Sequence, residues 1–340
     1  MSSIKLESKD KDLVMHKNSK INFFIFVLIL TCILHLASCN FLYALGPGTT
    51  GATFLKISPG ARAVGMGEAY VAIANDATAL FWNPAGIVQI DNYEISLMHN
   101  FWLQGTYYDY FAFVQDLPGT GNEKFGLSIT YLSSGDIERT KEDASGNYLT
   151  GDHGVFTLTD LALGLTYAWE IGEKHSLGAT IKLIRSTIDD AIGYGLCADL
   201  GYLFRITPKL SAGFNAQNSL VSMPIRFYRQ RQDVSASHTL PINTKAGLAY
   251  RCMDDKLLLG FDVNFPIDNL VNYHAGAEYA ITDSMLVRVG YKTNLITDLD
   301  VLSGLSLGFG YKFLGYDFDY AFVPYGDLGV THRISLLMKF

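Results

Sequence analysis

The chain predicts an all-β fold, a transmembrane antiparallel β-barrel of about 14 strands with an N-terminal plug segment inside the lumen, and three observations point to it. Residues 304–313 place Leu305, Leu307, Phe309, Tyr311 and Phe313 on one face and Gly304, Ser306, Gly308, Gly310 and Lys312 on the other. Successive strand side chains point to opposite faces, so one surface is hydrocarbon and the other polar and narrow. The 340 residues are 49% hydrophobic and 17% charged, against about 25% charged in soluble domains. Even so, no run in the body of the chain reaches the roughly 20 apolar residues of a membrane helix. The last strand, 331–340, closes on an aromatic, Phe340, as the terminal assembly strand of such a barrel does.

The elements follow in order. Residues 21–34 are apolar, His16, Lys17 and Lys20 precede them, and small residues come soon after, so 1–44 read as a secretory signal with Met15 as its true start. Two cleavage sites compete: Leu36-Ala37-Ser38-Cys39 resembles a lipobox that would leave a lipidated Cys39, while Ala44 ends an ordinary site. Ordinary cleavage is preferred, because a chain that spans the bilayer needs no acyl anchor. Residues 45–92 are Gly- and Ala-rich yet carry Val71, Ile73, Leu80, Phe81 and Trp82. Left outside the barrel they would expose apolar surface with no core of their own; inside it they form the plug.

Residues 93–340 form the barrel. Alternating segments fall at 93–103, 107–115, 124–132, 157–170, 175–186, 194–205, 210–218, 243–252, 257–265, 273–281, 285–292, 304–313, 316–323 and 331–340. From the third strand on, tight connections (171–174, 206–209, 253–256, 282–284, 314–315) alternate with longer ones (134–156, 187–193, 219–242, 266–272, 293–303, 324–330). That is the periplasmic-turn and outer-loop alternation of a barrel in the outer membrane of a Gram-negative bacterium, and an even count puts both termini on the periplasmic side. Trp169, Phe204, Tyr250, Tyr279, Phe313 and Tyr316 lie near the short turns, and Tyr131, Phe265, Tyr273, Tyr291 and Phe322 near the opposite ends. They make two interfacial rims. The inward parity collects Lys182, Asp199, Lys245, Arg251, Asp262, Glu278, Arg288, Lys312, Asp317, Asp319, Arg333 and Lys339, expected mostly as ion pairs that stiffen the wall. Cys197 and Cys252 sit on non-adjacent strands with opposite parity, which argues against a disulfide.

The plug reads Gly51-Ala52-Thr53-Phe54-Leu55-Lys56-Ile57, then Gly60-Ala61-Arg62-Ala63-Val64-Gly65-Met66-Gly67-Glu68-Ala69, then Asn75-Asp76-Ala77-Thr78-Ala79-Leu80-Phe81-Trp82-Asn83-Pro84-Ala85-Gly86. This text resembles the PorV/PorQ family, a branch of the FadL-type outer-membrane barrels. The resemblance covers essentially the whole mature chain and implies the same barrel. It also implies one of two functions: association with type IX secretion or surface export of proteins, or FadL-like uptake of hydrophobic compounds. A structural barrel with neither role is the third reading.

Read for its chemistry, Asn75 or Asp76 can cap a short helix through Trp82, and Pro84 stops it. Asn83 offers donor and acceptor to a turn, and Gly86 permits close approach to the wall. Arg62 and Asp76 are candidates to tie the plug to lumen charges. Together with Trp82, Asn83, Pro84, Ala85 and Gly86 they form the candidate plug or gating set. In the longest late loop, Arg226, Phe227, Tyr228, Arg229 and Arg231 are candidates to contact lipopolysaccharide or a partner protein, with a solvated loop as the plainer reading.

A net charge of −7 argues against nucleic acid as a partner. Gly65-Met66-Gly67 lacks the Lys-Ser/Thr of a phosphate loop. No catalytic set, metal-ligand spacing or cofactor motif has support, so neither enzyme activity nor a cofactor is expected. The expected partners are outer-membrane lipid and lipopolysaccharide, with secreted cargo proteins or a hydrophobic small molecule as alternatives.

Overall fold

The computed structural model describes residues 46–340, apart from 120, 144, 150, 152, 230–231 and 294–300. The expected signal segment, both cleavage sites and Arg231 lie outside the described residues. Fifteen strands form one antiparallel sheet that closes on itself. They are β1 (Tyr93–Phe101), β2 (Tyr107–Asp116), β3 (Glu123–Glu138), β4 (Val155–Ile171), β5 (His175–Ile188), β6 (Ala191–Arg205), β7 (Leu210–Arg229) and β8 (Gln232–His238). The return half holds β9 (Asn243–Cys252), β10 (Leu257–Pro266), β11 (Asn272–Ala280), β12 (Met285–Lys292), β13 (Leu305–Phe313), β14 (Tyr316–Pro324) and β15 (Val330–Lys339). No described helix is long and apolar enough to cross a membrane.

β8 pairs with the upper part of β7 and β9 with its lower part, so the two form one stave broken at 239–242, and the wall has fourteen staves. Pro241 sits in that break, where it has no ladder hydrogen bond to give. The expected long loop over 219–242 is therefore a correction: β7 continues past Asn218 to Arg229. The reason lies in the backbone. Asn218 and Val221 adopt left-handed conformations, φ 55° and 50°, and the β6–β7 register slips at three places between Tyr194 and Leu200. Bulges take up the extra residues of β7 without ending it. The expected longer connection at 187–193 likewise shrinks to the turn Asp189-Asp190, because β5 and β6 extend to meet it.

Hydrocarbon covers the outside. Ile181 (59% exposed), Leu183, Val289, Leu307 and Phe309 alternate with inward neighbours, so the apolar face points away from the protein. Tyr250, Tyr279, Phe313 and Tyr316 stand exposed by the short turns. This is a lipid-facing surface on an outer-membrane barrel. Pairing of β1 with β15 closes the cylinder, and Phe340 stacks on Tyr93 across the seam with centroids 4.6 Å apart. Cys197 and Cys252 are both free.

Both the start of β1 and the end of β15 lie at the short-turn end. The first described residues of the segment ahead of β1 lie at the opposite end. Gly51 donates to the Thr239 carbonyl and Thr50 to Asp268, both at the long-loop end. At the other end, Lys124 donates to the Ile90 carbonyl beside the β2–β3 turn. Residues 50–90 thus run the length of the bore.

Candidate functional site

Short helical pieces build the inner segment: α1 (Ala61–Gly65), α2 (Ala79–Trp82) and a 3-10 run at Pro84–Gln89. None is long enough to be stable alone, so its conformation depends on the wall. Trp82, Asn83, Ala85 and Ile87 have no exposed surface, and Trp82 donates to the Pro59 carbonyl at 3.1 Å.

Glycines on the inner wall make the seat. Gly260, Gly276 and Gly290 stand in register across β10, β11 and β12. The backbone of Met66-Gly67 and Ala69 lies against them: a Cβ on Gly290 would fall 1.8 Å from the Gly67 nitrogen, and one on Gly276 2.1 Å from the Met66 oxygen. Across the bore, Gly178 and Gly201 are paired on β5 and β6 and receive Pro84 and Asn83 in the same way. Gly86 instead packs on the Ala74 carbonyl of its own segment, so the expected approach of Gly86 to the wall is corrected: the wall glycines provide the clearance.

Charges tie one side. Arg62 makes two 2.8 Å bonds to the Glu278 carboxylate on β11, and also donates to Asn75 (2.8 Å) and Asp76 (3.2 Å). Glu278 accepts from Arg288 at 2.6 Å, and Arg288 reaches Asp319 at 2.6 Å. The line Asp76, Arg62, Glu278, Arg288, Asp319 therefore crosses from the segment into β11, β12 and β14. Arg62 touches the wall directly. Asp76 does not, because its carboxylate is taken by Arg62, the Tyr70 hydroxyl and Thr78. Asp262 on β10 accepts from the Tyr70 and Val71 amides at 2.8 and 2.9 Å. Glu68 pairs with Lys292 at 2.9 Å.

Neutral groups tie the other side. Asn83 donates to the Val71 carbonyl (2.8 Å) and to the Tyr202 carbonyl on β6 (3.0 Å). On β7, Asn215 and Gln217 each donate at 2.7 Å to the carbonyls of Trp82 and Phe81. Asn83 also caps the 3-10 run by accepting from the Ala85 amide, and Pro84 occupies its first position. Thr78 rather than Asn75 or Asp76 precedes α2, and Asp76 bonds the Thr78 amide instead of capping the helix.

The outer-end candidates separate. On β7, alternation sends Arg226 and Tyr228 to one face and Phe227 and Arg229 to the other. Phe227 packs against the inner core, and Arg229 pairs with Asp190 at 2.7 Å.

A cavity of 260 Å³ lies at the long-loop end beside the broken β8–β9 stave. Phe81 and Glu68 line it from the inner segment, and Gln217, Asn243, Lys245, Asn264 and Asn272 from the wall. Sequence reasoning placed Lys245 only among the inward charges.

Residues 47–200 match a family model described as type IX secretion system protein PorV. No curated protein matches the chain. Among solved structures, the Pseudomonas putida toluene transporter TodX is similar at TM-score 0.56 and 13% identity, covering 82% of this chain and 96% of that one. The CymD monoaromatic hydrocarbon channel is similar at 0.55 and 15%, with 83% and 97% covered. A Pseudomonas aeruginosa FadL homologue is similar at 0.53 and 15%, with 80% and 96% covered. Over the matched residues the chain is similar in sequence to PorV, and it shares its fold with TodX, CymD and the FadL homologue.

Proposed function

We propose that this PorV-type barrel works with type IX secretion, receiving exported proteins at the long-loop, outward-facing end of the outer membrane. The observation that carries the reading is the family match over 47–200, which takes in the inner segment, the first five strands and part of the sixth. In this reading residues 45–92 are a plug. Arg62, Asp76 and Trp82, with Asn83, Pro84, Ala85 and Gly86, keep it seated, so the barrel serves as a docking body. In this reading the outward-facing Arg226 and Tyr228 meet lipopolysaccharide phosphates. Pull-down of the native barrel from its own membranes recovers cargo that carries a C-terminal sorting domain. Preparations clean of any such cargo would overturn the reading.

A second reading, uptake of hydrophobic compounds, is favoured by the fold shared with TodX and CymD. It requires the plug to yield. Deleting residues 83–86 then changes uptake of an apolar substrate such as toluene while the barrel still assembles. Unchanged uptake removes this alternative.

A further inference from the structure

Lys245 takes no part in the hydrogen bonds and ion pairs that seat the plug. Its side chain is 4% exposed and its ammonium lies 4.7 Å from the Trp82 ring centre and 5.6 Å from that of Phe81. Among the described residues, no hydrogen bond or ion pair reaches its Nζ, whereas the neighbouring lysines Lys56 and Lys292 pair with Asp268 and Glu68. Ring faces attract an ammonium but satisfy none of its three N–H donors.

Acceptors around it are also unused. Register places Lys245 between Asn215 on β7 and Asn264 on β10, with Asn243 two residues before it on the same face. The side-chain oxygens of Asn215, Asn243 and Asn264 are buried and unpartnered. Buried polar groups without partners cost free energy, and two of these, on Asn243 and Asn264, belong to the lining of one cavity, which marks it as a binding position. The cavity's 260 Å³ far exceeds the roughly 30 Å³ share of one water molecule.

We propose that this cavity binds the carboxylate of a small polar ligand, with Lys245 as counter-ion and the amide oxygens of Asn243 and Asn264 accepting from the ligand's N–H or O–H groups. The charge count supports an anion. On the cavity lining Lys56 and Lys292 are matched by Asp268 and Glu68, while Lys245 has no carboxylate there; Asp262, which faces it from β10 outside the lining, is held by the Tyr70 and Val71 amides. The amide lining disfavours a bare hydrocarbon, which would strand these polar groups. A peptide C-terminus and an acidic sugar share the required chemistry. The inference does not depend on the secretion reading, since it is tested without cargo.

The full barrel in detergent is titrated by calorimetry with N-acetyl-diglycine, its C-terminal amide and galacturonate. The carboxylate form of the peptide, the sugar acid, or both bind, and the peptide amide binds at least about tenfold more weakly than the peptide acid if the peptide is the ligand. Binding of the peptide alone identifies a peptide terminus, binding of the sugar alone an acidic saccharide, and binding of both a site that reads the carboxylate itself. Lys245→Met keeps the aliphatic stem over Trp82 and weakens binding by at least about tenfold, whereas Lys245→Arg retains it. Folding of each variant is checked by heat-modifiable migration in gels. The proposal is overturned if neither acid binds at millimolar concentration, or if acid and amide bind alike. Equal binding to a folded Lys245→Met barrel overturns it too. The comparison of acid with amide uses the unaltered protein, so it stands even if a variant fails to fold.

Discussion

The two halves of the wall hold the inner segment by different means. The tall half, β3 to β7, has strands of 14 to 20 residues and meets the segment with neutral groups, namely Asn83 on Tyr202 and Asn215 and Gln217 on the Trp82 and Phe81 carbonyls. The short half, β9 to β15, has strands of 8 to 10 residues and meets it with carboxylates and guanidinium groups centred on Glu278. Amide-to-carbonyl bonds are weak singly but specify one geometry. Buried charges contribute little net stability when paired, yet leave a large cost when one partner is removed. The short half is thus the side on which a displaced segment is most heavily penalised.

This contrast can be broken experimentally at three depths. The largest effect is expected from Gly290→Val, because even a Cβ would lie 1.8 Å from the Gly67 nitrogen and the backbone there cannot give way. The folded, heat-modifiable form should fail to accumulate; normal yield would show that the segment does not rest on the β10–β12 glycines. Next is Arg62→Met, which leaves Asp76 without its cation and Glu278 with Arg288 alone. A loss near the lower end of about 3–5 kcal/mol is expected in urea unfolding, with increased protease cleavage between residues 60 and 90. Asn83→Ala, on the neutral side, should cost about 1–3 kcal/mol by removing donors from two buried carbonyls. If Asn83→Ala proves more damaging than Arg62→Met, the ranking of the halves is reversed.

Much of the barrel was legible because alternation and turn spacing are local. The strand over 304–313 shows its lipid face in ten residues, and Leu314-Gly315 can only be a turn. The continuation of β7 was not legible. Asn218 tolerates left-handed backbone and Met223-Pro224 resembles a loop, so a bulged strand looks like a strand that ends. The phrase from Asn75 to Gly86 identified the inner segment by resemblance, but the glycines that seat it passed unmarked. Gly260, Gly276 and Gly290 are far apart in sequence, and only strand register makes them one surface. The same holds for Lys245. One parity rule placed it inward among twelve charges expected to pair mostly with one another, and its isolation depends on which strands become neighbours.

The seam between Tyr93 and Phe340 sets the order of events in biogenesis. Ala61 donates to Ser335 on β15, and Ala77 to Glu94 on β1, so the enclosed segment bonds the two staves that meet at the join. The portion synthesised first therefore gains its complete set of bonds only when the portion synthesised last arrives. A chain halted before β15 would have its contents but an unfinished container.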